Sequence, residues 1–148
     1  MAPNEKGMIM MACAEKFGAG AVRNILRHNR REIEHSSNHD IDPKRLERDY
    51  ILSPDRGMTE YDYFLQRKSE LYCYNRNDVK VMVGWIVTAP QDLDPERYDN
   101  FFYATYNFLA NRYGEENVVQ AIVHDDEGGQ PHLHFCFVPV VEDPKHEQ

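Results

Sequence analysis

Residues 117–141, NVVQAIVHDDEGGQPHLHFCFVPVV, hold two apolar runs around a turn, and the way those runs pair decides the fold. NVVQAIVH and HLHFCFVPVV have the valine, isoleucine and phenylalanine content of strands. DDEGGQP between them, with its Gly-Gly and Pro, makes a hairpin-like turn, so the two strands run antiparallel. Side chains alternate along a strand, which puts His132 and His134 on one face and Leu133, Phe135 and Phe137 on the other. Two imidazoles at i and i+2 can share a cation, and hairpin pairing brings up His124 as a third ligand. Three neutral imidazoles suit Zn, Mn, Ni or Fe rather than Ca, and they leave positions for water or substrate.

An isolated H-x-H is a weak signal, because most buried histidines simply satisfy a hydrogen bond. Here the third histidine and the acidic D-D-E strengthen it. Two other chemistries are set aside. Histidine-triad nucleotide hydrolases need a further His at the next alternate position, where this chain has Cys136, and the zincin pattern H-E-x-x-H is absent.

Working outward, DVKVMVGWIVTAP (78–90) reads as a central strand. Asp94 is an N-cap with Pro95 in the first helical position, opening a helix that ends at Gly114. Its stripe of Tyr98, Phe101, Phe102, Tyr106 and Leu109 reads as core rather than as a base-stacking platform. Thr59 caps a second helix through MTEYDYFLQRKSELYCYN (58–75). MIMMACAEKF (8–17) reads as a buried first strand ended by GAGA. Val22, Ile25, Leu26 and Ile33 then recur at helical spacing to about residue 36, with His28 mid-helix. SSNHDIDPKR (36–45) and SPDRG (53–57) are turns. The expected architecture is one α+β domain over 1–148, with helices on one face of a mainly antiparallel sheet and a flexible tail at 142–148.

The bulk properties agree. A chain of 148 residues, 41% hydrophobic and 28% charged, has the size and composition of one soluble globular domain. Cys13, Cys73 and Cys136 form no C-x-x-C pair, which argues against a disulfide framework or thiolate zinc site and fits a reducing cytoplasm. GMIMMACA is too short to cross a bilayer, so no membrane contact is expected from this segment. Net charge is −8, yet residues 1–58 hold ten Lys+Arg against nine Asp+Glu while the rest holds seven against sixteen. Arg23, Arg27, Arg30 and Arg31 lie within nine residues with no acid between them, and they are the candidate phosphate contacts on a chain otherwise poorly suited to a polyanion.

HDDEGGQPHLH (124–134) resembles the H-x-D-E…P-H-x-H motif of the MobV (Pre/Mob) plasmid mobilization relaxases, members of the HUH endonuclease superfamily. RHNRREIEHSSNHDIDP (27–43) is similar to the family's H-N-x-R…N-x-D-I-x-P segment, and RDYIL (48–52) to its N-Y-x-L segment. GWIVTAP (84–90) and the aromatic helix after it are similar to the stretch that precedes the histidine motif, so the resemblance spans most of residues 8–140 in family order.

The resemblance implies a relaxase that nicks one DNA strand at a plasmid origin of transfer, on a single-stranded or hairpin segment, and stays joined to the 5′ end during conjugative mobilization. It implies His124, His132 and His134 as ligands of one divalent ion, Mn²⁺ or Mg²⁺ first, with Zn²⁺ or Ni²⁺ as alternatives. It also implies His28, the histidine of H-N-x-R, as nucleophile, with Tyr50 in reserve. An unperturbed imidazole, pKa about 6.5, is available near neutrality whereas a phenol near 10 needs activation. Glu127 would orient His28 or accept its proton, and Arg31 would hold a phosphate. Asn38 and Asp40 would fix the loop. Relaxosome and coupling proteins are the further partners implied.

Three departures stand out: a turn one residue longer than the family's D-E-x-T-P, Asp49 in place of Asn, and Cys13 where a basic residue is common. Two other readings share much of the pattern. A rolling-circle replication initiator of the same superfamily would ordinarily use tyrosine, and a metal-stabilised DNA-binding module would nick nothing.

Overall fold

The computed structural model describes residues 11–30, 49–71, 79–125 and 130–140. Its elements in chain order are β1 (Met11–Gly18), α1 (Ala19–Asn29), β2 (Tyr50–Ile51), α2 (Glu60–Ser69), β3 (Lys80–Thr88), α3 (Tyr98–Tyr113), β4 (Val118–His124) and β5 (His132–Phe137), with short 3₁₀ turns on either side of α3. The five strands form one sheet in the order β1-β3-β5-β4-β2, every neighbouring pair antiparallel. This is the expected α+β, mainly antiparallel fold.

The hairpin pairs as the alternation predicts. His124 lies opposite His132, Ile122 opposite His134 and Gln120 opposite Cys136. β5 is the central strand, so His132 and His134 are bracketed on the other side by Thr88 and Ile86 of β3.

Helices cover both faces of the sheet, where one covered face was expected. Phe102, Tyr106, Leu109 and Ala110 of α3 pack with Ala121, Val123, Leu133, Phe135 and Phe137. Val22 and Leu26 of α1 and Phe64 of α2 pack with Met82, Val119 and Cys136. The cause is visible in β4, whose seven residues are all buried: a strand that is apolar without alternation needs a cover on each side.

Two further expectations change. β1 is not buried: among the described residues it is an edge strand paired with β3 alone, and Ala12–Lys16 are exposed. GAGA does not end it as a loop, since α1 begins at Ala19, directly after Gly18. α1 also stops at Asn29, with Arg30 as C-cap, so His28 stands in its last turn rather than mid-helix.

The caps form largely as expected. Thr59 Oγ1 accepts from Asp62 N at 3.1 Å. Asp94 accepts from Glu96 N and opens the 3₁₀ turn Pro95–Arg97 that leads into α3. Gly114 closes α3 at φ 94°, its N–H donating to Ala110 O. The segments read as turn or tail at 36–45 and 142–148 lie outside the described residues, as do Asn38, Asp40 and Cys73.

Candidate metal centre and its helix

Strand alternation and hairpin register together bring His124, His132 and His134 to one point. One ring nitrogen from each lies within 4.8 Å of the others. Ring centroids are 4.3 Å apart for His124 and His134, 4.9 Å for His132 and His134, and 5.5 Å for His124 and His132. His124 is buried and the other two are half-buried, so the cluster opens toward solvent from a packed base. Three imidazoles converging in this way fit one divalent ion, by the chemistry of the donor set.

The hydrogen bonds around the rings decide how they can be used. His124 Nε2 lies 2.6 Å from the backbone oxygen of Asn29, the last residue of α1. A carbonyl only accepts, so this contact places the proton on Nε2 and leaves Nδ1 with the lone pair. His132 Nδ1 makes a longer approach, 3.4 Å, to Gln130 O. Gln130 is itself anchored, its Nε2 donating to Pro90 O and the Tyr98 hydroxyl, while Ala89 N donates to Pro131 O. Such partners orient ligands and fix the nitrogen each presents.

α1 reaches the cluster because its inner stripe is Val22, Leu26 and Asn29, three buried positions at i, i+4 and i+7. Asn29, a polar residue on that stripe, ends it in hydrogen bonds: Nδ2 donates to Gln120 Oε1 at 2.9 Å and contacts Cys136 Sγ at 3.7 Å. Arg23 and Arg27 are exposed, and the Arg23 guanidinium lies 5.9 Å from the centre of the Tyr61 ring. Arg30 instead grips Glu60.

Tyr50 pairs with Val123 in the sheet and shares its α3-covered face, opposite to the face that carries the histidine cluster, and its hydroxyl donates to Asp99 Oδ1 at 2.8 Å. Burial, followed by the Asp99 hydrogen bond and charge and the Asp125 charge, holds its phenol well above the ordinary tyrosine range. Arg31 and Glu127 lie outside the described residues.

Asn29, Glu60, Gln120 and Asp99 were not singled out from sequence. Gln120 carried a signal: it is the one amide inside the apolar run VVQAIV, and a strand buried on both faces admits such a group only when it is fully bonded.

The family model described as plasmid recombination enzyme (Mob_Pre) matches residues 7–148. The chain belongs to that family. It is 34% identical over 139 residues to a plasmid recombination enzyme of Streptococcus agalactiae, covering 88% of this chain and 28% of the relative. To the type 1 plasmid recombination enzyme of Staphylococcus aureus it is 35% identical, covering 90% of this chain and 35% of the relative. The chain thus spans about a third of the length of these curated relatives. Among solved structures it is similar to a MobM relaxase domain (MOBV; Mob_Pre) bound to plasmid oriT DNA in an Mn-bound crystal structure. There the TM-score is 0.76 and the identity 34%, over 94% of this chain and 74% of that one. Among the described residues no helix is long and apolar enough to cross a membrane.

Proposed function

We propose that this Mob_Pre chain is a metal-dependent relaxase, which nicks one DNA strand at a plasmid origin of transfer and keeps the 5′ end covalently attached for conjugative mobilization. The observation that carries the reading is the bond from His124 to the Asn29 carbonyl, which sets a three-imidazole cluster against the helix turn that bears His28. Family membership and the likeness to Mn-bound, oriT-bound relaxase domains support it.

His124, His132 and His134 are the proposed ligands of one divalent ion, Mn²⁺ first and Mg²⁺ second, with Zn²⁺ or Ni²⁺ as alternatives. When bound, the ion supplies Lewis-acid neutralisation of charge at the scissile phosphate. His28 is the proposed nucleophile. The lone pair of its imidazole attacks phosphorus and the bond to the 3′ oxygen breaks. The ring's N–H proton passes to Glu127 or solvent, and the leaving oxygen takes up a proton to become a 3′ hydroxyl. The product is a P–N link between His28 and the 5′ phosphate.

Arg23, Arg27 and Arg31 are proposed to hold phosphates. Arg30 is the weakest of the four DNA contacts because Glu60 already engages it. Tyr50 stays in reserve: to attack, its phenol would have to leave Asp99 and ionise beside carboxylates in a half-buried site. Relaxosome and coupling proteins in the cytoplasm are the proposed partners.

The test incubates wild type, His28→Ala and Tyr50→Phe with origin oligonucleotides and Mn²⁺. Wild type and Tyr50→Phe are expected to give an acid-labile covalent adduct and His28→Ala none. An acid-stable adduct that survives in His28→Ala and disappears in Tyr50→Phe would transfer the role to Tyr50. DNA binding without an adduct under every divalent metal would overturn the relaxase reading in favour of a binding module.

A further inference from the structure

We propose that Gln120 is a positioning residue, holding the last turn of α1, which carries His28, so that the Asn29 carbonyl stands against His124; its part in the chemistry rests on the relaxase reading above.

Gln120 is fully buried in β4, four residues before His124 and on the same face. Burying an amide among apolar side chains is costly unless its atoms are bonded, and here they are. Oε1 accepts from Asn29 Nδ2 at 2.9 Å, and Nε2 donates to Leu26 O and to Glu60 Oε1, each at 3.0 Å. Leu26 and Asn29 flank His28 in the sequence, so Gln120 grips α1 on both sides of that residue. Leu26 O accepts from Arg30 N at 3.2 Å and takes Gln120 as a second donor, while Asn29 O, a terminal carbonyl of the helix, takes a partner outside it. β4 supplies those partners through Gln120 and His124, two points about 13 Å apart along the strand. Glu60, at the start of α2, closes the arrangement by accepting from both Gln120 and Arg30.

A polar group kept only for stability would need partners, but not partners on two sides of one histidine together with a relay to a second. The Asn29 carbonyl that orients His124 belongs to the same residue whose side chain Gln120 holds. Loosening Gln120 should therefore misplace His28 and, through the Asn29 carbonyl, weaken the ion site. Misplacement by about an ångström costs on the order of 100-fold in rate, and loss of a partner that orients a ligand costs on the order of 10- to 100-fold in metal affinity.

The experiment compares wild type with Gln120→Met, which keeps length and apolar bulk while removing all three bonds. Four quantities are read on folded protein well below its unfolding midpoint: urea stability, Mn²⁺ affinity by titration, DNA affinity without metal, and single-turnover adduct rate at saturating Mn²⁺ and DNA. The expected split is Mn²⁺ binding about tenfold weaker, DNA affinity within about threefold, and the saturated rate down on the order of 10- to 100-fold. A saturated rate and an Mn²⁺ affinity both within threefold of wild type would overturn the proposal, whatever the change in stability. If wild type makes no adduct, the relaxase reading fails, while Mn²⁺ affinity still decides whether Gln120 positions His124. Asn29→Ala removes the same bond from the helix side and is expected to give a smaller split in the same direction. Should Gln120→Met not fold, Asn29→Ala decides alone, and unchanged Mn²⁺ affinity and rate in it would refute the idea.

Discussion

Arg30 holds Glu60 through both carboxylate oxygens, with Nε at 2.8 and 2.9 Å and Nη2 at 2.6 Å, joining the end of α1 to the start of α2. Arg27, three residues earlier, is exposed. Arg30→Ala is therefore expected to lower unfolding free energy by about 1 kcal/mol, and Arg27→Ala to change it by less than about 0.5 kcal/mol. In DNA binding the order reverses. Arg27→Ala should reduce the salt dependence of affinity by about one phosphate contact, and a larger reduction for Arg30→Ala would show that Arg30 leaves Glu60 for DNA.

Metal binding should stabilise the fold. An ion bound only by the folded chain adds about 2.7 kcal/mol at a concentration 100 times its Kd. Thermal unfolding of wild type should shift upward as Mn²⁺ is added and return with chelator. His134→Ala should show little shift, and an equal shift in that variant would place the stabilising ion elsewhere.

Cys136 makes alkaline stability diagnostic. Burial first, then the Glu60 charge, pushes its thiol from 9.0 in an unperturbed chain up to about 12. The folded chain thus keeps a proton that the unfolded chain releases, so this contribution is complete below about pH 9 and is lost as pH rises toward 12. Burial also raises Tyr50 and Tyr106, which act in the same direction. Urea midpoints should fall from about pH 9 toward pH 12, less steeply in Cys136→Ala. With Cys13 and Cys73 replaced by Ser, the remaining Cys136 should react slowly with a thiol reagent until the protein unfolds.

Gly114 has φ 94°, and a Cβ there would lie 2.4 Å from Glu116 Oε1 and 3.0 Å from Asn117 Nδ2. Gly114→Ala should cost about 1 kcal/mol or more in unfolding free energy. A neutral result would mean the turn into β4 can be rebuilt without that backbone conformation.

Much of the site was legible because it is built from local periodicity. His132 and His134 share a face by strand alternation, and the antiparallel register that sets His124 opposite His132 puts it on their side. Thr59, Asp94 and Gly114 announce their caps by chemistry that acts within a few residues. The layers were less legible. β4 reads as a strand, but its burial on both faces comes from helices distant in sequence; β1 looks apolar in sequence yet lies at an edge. The end of α1 was hidden for another reason. Ile33 continues the apolar spacing, but Asn29 bonds to Gln120, 91 residues away, and such a contact leaves no trace in spacing.

β5 is hydrogen-bonded to a neighbour along each side, whereas His28 stands one residue from the end of a helix. Amide protons of a doubly paired central strand exchange with solvent only on large-scale opening, while those of a helix end exchange through local fraying. His28 and the histidine pair of β5 therefore belong to segments that open with different free energies. The last turn of α1 is expected to exchange faster than β5, to the extent that the bonds from Gln120 and His124 allow it to fray.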